Sequence, residues 1–238
     1  MAKENGEWII RGLALSDPDC IKTVEQLVDY INEVGFLPLF KNDIPGFSVE
    51  EHTAANGWWC GDAKTDPWEW RGIIAAAGDI AYGKFFDKKA GFISKAWLPT
   101  FVNYRRDGYD FDSRWDDEKA SHRQKKIMDI FDSDTEMLSN ELKEKAGFGK
   151  GGEKNFEGTI TALQMEMYLC VREFRQRTNK KGEPYGWAIA VYSRPEHLWG
   201  YEYVSGMYSE SPEVSRERIL AHMRKLYSGV TEKQLALL

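Results

Sequence analysis

No stretch of the sequence approaches the ~20 consecutive apolar residues that a membrane-spanning helix needs; the longest runs, such as Ile73 to Ala77, fall far short. The opening residues carry no apolar core of the kind that marks a secretory leader, so a cytoplasmic protein with no membrane role is expected. Cysteine is scarce and odd in number. Cys20, Cys60 and Cys170 stand far apart, which speaks against a disulfide framework or a zinc knuckle and suits reduced thiols. Histidine is equally sparse. His52, His122, His197 and His222 form neither H-E-x-x-H nor the H-x-E and C-x-x-C pair of a zinc deaminase, so no metal and no cofactor are expected. A G-x-S-x-G nucleophile elbow is also missing. Gly147-Phe148-Gly149-Lys150-Gly151-Gly152 satisfies the spelling of a dinucleotide-binding loop, but it follows a helical segment instead of a strand and lacks the Ser or Thr of a P-loop. It reads as a turn.

A basic coat is lacking too. The formal net charge is −6, so any contact with nucleic acid has to come from a local patch. Aromatic residues, by contrast, are abundant at 13%, and several of the nine tryptophans fall in loop-like sequence where packing alone does not demand them.

The length of 238 residues allows two domains of about 100 residues each. Ile21, Val24, Leu27, Val28, Ile31 and Val34 recur at helical spacing, and Gly35 supplies a stop. Residues 36 to 65 are rich in Gly, Pro, Asn and Asp and read as a long ordered loop. Asp66-Pro67-Trp68-Glu69 combines an N-cap, a first-turn proline and a capping-box glutamate, and predicts a helix to Gly78. Ile80 to Phe86, the turn Asp87-Lys88-Lys89 and Gly91 to Ser94 predict a hairpin, with a helix from Trp97 to Arg106 after it. The acidic stretch from Asp107 to Glu118 is the expected domain boundary, giving domains at 1–110 and 111–238.

In the second half a helix ends near Phe131, and Ser133-Asp134-Thr135-Glu136 reads as the capping box of the next. A glycine-rich turn and Asn155 then introduce a third helix through Phe156, Ile160, Leu163 and Met167. Leu169 to Arg177 and Tyr185 to Tyr192, joined by Asn179-Lys180-Lys181-Gly182, predict a second hairpin, and Ser211-Pro212 starts a closing helix. The expected fold class is α+β, helix-rich, with tandem winged helices, each a helix-turn-helix followed by a β-wing.

In a winged helix the second helix docks in the major groove, so the helix at roughly 155 to 167 is the candidate reader. Between residues 150 and 181 seven Lys or Arg face four Glu, a local reversal of the overall sign. The candidate contacts to double-stranded DNA are Lys150, Lys154, Gln164, Arg172, Arg175, Lys180 and Lys181, with Lys88 and Lys89 from the first hairpin. The loop before the 66–78 helix offers different chemistry, because carboxylates beside aromatics suit stacking of a base and stabilisation of a cationic sugar. Its candidates are Glu50 and Glu51 as catalytic carboxylates, with Trp58, Trp59, Asp62, Trp68 and Arg71 as substrate contacts. Asp66 and Glu69 are explained as caps, whereas Glu50 and Glu51 have no evident local structural role.

Several of these segments resemble the AlkZ-like winged-helix DNA glycosylases, and more closely a group of bacterial proteins described as AlkZ-related. The resemblance spans roughly residues 22 to 200. It is carried by Gly61-Asp62 through Asp66-Pro67, by Ala81-Tyr82-Gly83-Lys84-Phe85-Phe86 to Ile93, by Trp97-Leu98-Pro99 and by Leu163-Gln164-Met165. It implies tandem winged helices, DNA as partner and excision of alkylated bases by a segment with Gln, a hydrophobic residue, then Gln or Asp. The comparable stretch here is Ser48-Val49-Glu50: the first glutamine is replaced, and Glu50 keeps an acid at the third position. Three readings stay open, namely a DNA glycosylase, a DNA-binding or regulatory protein without that chemistry, and a protein-interaction module on the same scaffold.

Overall fold

The computed structural model describes residues 2–4, 7–179 and 181–238, with side chains from residue 9 onward. A short antiparallel pair, β1 (Ala2–Glu4) and β2 (Glu7–Ile9), leads in. Thr23 then caps α1 (Val24–Val34) by accepting from the Gln26 N–H; Leu27, Ile31 and Val34 face the core, and Gly35 ends the helix at φ +87°. Only a glycine fits there, since a Cβ would meet the Trp97 indole at 2.5 Å.

The expected long loop is not wholly irregular. Its first residues form β3 (Phe36–Pro38), all buried and paired with a later strand, and it also holds the single turn α2 (Val49–His52). Three-residue strands leave no period to read among turn-forming neighbours. The helix α3 (Pro67–Ala77) lies where Asp66-Pro67 predicts it and stops at Gly78 in the left-handed region. The hairpin of β4 (Ile80–Phe86) and β5 (Lys89–Ser94) is also as predicted, with Asp87 and Lys88 both at positive φ in the turn. Next come α4 (Leu98–Arg106) and the short α5 (Phe111–Asp116).

Ser121 and Gln124 form a full capping box on α6 (His122–Met128). The Ser133–Glu136 signal is overridden: Glu136–Leu138 becomes a strand, β6, and the next helix, α7 (Ser139–Lys145), starts five residues later than the capping box implied. The reason is tertiary, because β6 pairs antiparallel with a distant strand and the Ser193 hydroxyl donates to the Thr135 carbonyl at 2.6 Å. Then follow α8 (Phe156–Met165), the long hairpin of β7 (Cys170–Thr178) and β8 (Pro184–Ser193), the short α9 (Pro195–Trp199) and α10 (Tyr201–Val204), and finally α11 (Pro212–Leu226) and α12 (Glu232–Leu235).

Six strands form one antiparallel sheet in the order β3-β5-β4-β7-β8-β6. The two hairpins meet where Tyr82 of β4 stands opposite Val171 of β7, so the sheet crosses the acidic segment that the sequence marks as a boundary. Helices α3 and α8 both pack on β4, and α11 packs on α4. Arg106, buried at the end of α4, ties the C-terminal segments to this body. It donates to the Met167 carbonyl and the Tyr208 hydroxyl and pairs with Glu196. Its burial is tolerable because each of those partners answers part of the guanidinium. Among the described residues no helix is long and apolar enough to cross a membrane.

Candidate nucleic-acid interface

Helix α8, the candidate reader, is a core helix. Phe156, Thr159, Ile160, Thr161, Leu163 and Gln164 are all buried, which leaves Glu157 and Gly158 as the exposed part of its length. Gln164, expected to touch DNA, is 1% exposed. Its Oε1 accepts from the Lys84 N–H of β4 at 3.1 Å and its Nε2 donates to the Ile160 carbonyl. Thr161 accepts from Lys84 Nζ at 3.3 Å. A groove reader must present a polar face to solvent; this helix presents its face to the sheet. The periodicity that predicts the helix is right, and its solvent-facing side is misassigned.

The hairpin β7–β8 behaves differently along its length. Near its base Val171, Val191 and Tyr192 are buried, whereas residues 181 to 188 are all exposed. Tyr185 is 48% and Trp187 83% exposed. The alternation of Trp187, Ile189 and Val191 predicts a buried face, but the hairpin outruns the body beneath it and Trp187 emerges into solvent. Sequence reasoning therefore missed the exposure of Tyr185 and Trp187; an aromatic pair next to a Lys-Lys-Gly turn was the available signal.

The cations of this hairpin divide into two groups. Arg172 donates to the Ala75 and Ala76 carbonyls and so closes the end of α3, and Arg175 is paired with Glu136 and Glu173. Both therefore have protein partners. Arg177 lies 5.0 Å from the Tyr185 ring, and Lys181 is exposed in the turn. Lys180 lies outside the described residues. Lys150 and Lys154 are exposed in the glycine-rich turn before α8, and Lys88 in the turn of the first hairpin and Lys89 at the start of β5 are exposed too.

The loop candidates separate into two places. Glu50 is buried, with Oε1 accepting from the Arg11 N–H and Oε2 from the Lys41 N–H, each at 2.9 Å. Glu51 accepts from the Ser48 hydroxyl at 2.7 Å and pairs with Lys41 at 3.5 Å. Both carboxylates thus hold structural positions that the sequence did not reveal. Glu50 also lines a cavity of about 470 Å³ with Phe40, Lys41, Asn42, Lys89 and the C-terminal Gln234. None of the five expected substrate contacts lines it. Trp58 is buried, donates from Nε1 to Thr53 and packs on Phe40 at 5.3 Å; Trp59 is exposed. Asp62 shapes its own turn through Lys64 and Thr65, and Asp66 holds the loop by accepting from Trp59, Gly61 and Trp68 N–H groups.

Trp68 and Arg71 instead line a second cavity of about 270 Å³, under the hairpin β7–β8, with Gly72, Phe174, Gln176 and Trp187. The Arg71 guanidinium sits 3.7 Å from the Trp68 ring centre and 3.9 Å from that of Phe174. Burial lowers the Arg71 pKa, against the charge and hydrogen bond of Tyr82, whose own pKa burial pushes up to about 12. The two cavities are joined by aromatics, because Phe40 of the first lies 6.4 Å from Trp68 of the second.

A family model described as AlkZ related matches residues 21–238. No curated protein and no solved structure matches the chain.

Proposed function

The chain belongs to the AlkZ-related family, and we propose that it is a DNA-repair-related protein that binds duplex DNA through the wing β7–β8. The observation that carries this reading is the exposed outer half of this hairpin, where Tyr185 and Trp187 face solvent, the half-buried Arg177 lies over the Tyr185 ring and Lys181 is exposed in the turn. A wing of this kind lies along the backbone or enters the minor groove, its cations meeting phosphates and its aromatics meeting unstacked steps. The buried α8 supports the sheet that carries the wing and reads no bases. Lys150 and Lys154 add phosphate contacts from the turn before α8, and Lys88 and Lys89 from the first hairpin. The sandwiched Arg71 supports the base of the wing through Phe174.

A second reading, base excision, is favoured by one observation: Glu50 lines the 470 Å³ cavity and so has a space beside it in which an extruded nucleotide fits. In that reading Glu50 stabilises the oxocarbenium-like sugar, Glu51 and Ser48 hold its turn, and Trp58 shapes the wall through Phe40. One experiment separates the readings. Labelled duplexes, undamaged and alkylated, are incubated with the protein and scored for mobility shift and for alkali-labile strand breaks. A shift on both without breaks is the expected result. Breaks on the alkylated duplex that vanish in a folded Glu50→Gln variant establish excision, and no shift at low salt overturns DNA binding and leaves the protein-interaction reading.

A further inference from the structure

We infer that the cavity beneath the wing, bounded by Trp68, Arg71, Phe174, Gln176 and Trp187, is a seat for a single unpaired nucleobase, separate from the cavity that Glu50 lines. The inference rests on the wing reading and adds what the wing recognises. Its volume of about 270 Å³ lies just under the range of drug-sized sites, which suits one heterocycle and little more. An 83% exposed tryptophan on the lip of an otherwise formed cavity has no packing role in this chain. Burying its face against a flat partner removes that exposure.

The opposite side of the cavity is a stack already built. Arg71 is fixed between Trp68 and Phe174, so the wall it forms is planar, polarised and unable to collapse into the space. Gly72 adds no side chain to that wall. Gly186, at φ +67°, lets the strand turn beside Trp187 where a Cβ would meet the Arg177 guanidinium at 2.8 Å. Gln176 commits its NH2 to the Tyr185 and Gly186 carbonyls, which leaves its carbonyl oxygen as an acceptor for the edge of a base. Arg177 and Lys181 lie further out on the same hairpin and match the charge of the flanking phosphates. An apolar peptide side chain would use the tryptophan but neither the acceptor nor the cations. A nucleobase with its phosphates uses all three.

The test compares fluorescence anisotropy of three labelled ligands: a perfect duplex, the same duplex with one bulged adenine, and a single strand. The parent is expected to bind the bulged duplex about 10-fold more tightly than the perfect one, as stacking on one aromatic side chain predicts. Trp187→Ala removes that preference, so that the bulged and the perfect duplex bind equally; a tryptophan this exposed can be truncated without unfolding the chain. Adenosine monophosphate serves as competitor. Displacement of the bulged duplex by the free nucleotide, abolished in Trp187→Ala, places the same base chemistry in a small-molecule ligand; no displacement places it in DNA. Equal binding of bulged and perfect duplexes by both proteins overturns the base seat while sparing the wing reading. Failure of the parent to bind any of the three ligands overturns both.

Discussion

Glu50 shows how a residue can look unassigned in sequence and be fully employed in the fold. Its two oxygens answer two backbone N–H groups, those of Arg11 and Lys41, 39 and 9 positions away. Asp66 does the same kind of work, but its Trp68 partner is two positions away, so the cap is legible from Asp66-Pro67 alone. Range, not chemistry, separates the two cases. Two facing donors also account for an acid at position 50, because a glutamine would turn its NH2 toward one of them. Glu50→Ala is therefore expected to destabilise the protein by about 1–3 kcal/mol for each donor left unanswered. Urea unfolding checks this, and a variant as stable as the parent would show that the carboxylate is free for chemistry alone.

At the level of elements, local signals were reliable where both partners lay close in sequence. The helices at 24–34 and 67–77 and the hairpin from Ile80 to Ser94 follow from caps, a proline, a glycine and a turn. Strand β6 did not, since Ser133-x-x-Glu136 is a helix signal and only pairing with Val191, Tyr192 and Ser193 overrides it. Helix α8 was found, yet which side it hides depends on the sheet beneath it. Gln164 decides the matter. Its carbonyl holds the Lys84 N–H of β4, so Gln164→Leu is expected to cost about 1–3 kcal/mol of stability by stranding that donor. DNA affinity of the folded variant should equal that of the parent. A specific loss of affinity with unchanged melting temperature would return α8 to the role of reader.

For the whole molecule, one continuous sheet joins segments on both sides of the acidic stretch, and the hairpin β7–β8 extends out of it. That continuity was not legible, because a single pairing, Tyr82 with Val171, makes the connection across 89 positions and neither residue announces it. The family and the mixed α+β character were legible from motifs spread along the chain. The net charge of −6 adds a constraint at this scale. An acidic body repels DNA, so the proposed binding is concentrated on the hairpin β7–β8 and strongly sensitive to salt.

The most direct measurement is a set of anisotropy titrations of a labelled duplex at several salt concentrations, for the parent and for Arg177→Gln combined with Lys181→Gln. Loss of two phosphate contacts predicts a slope of log K against log salt that is shallower by about 2, with weaker binding at low salt. A variant with the parent's slope and affinity would contradict the wing as the DNA-binding surface.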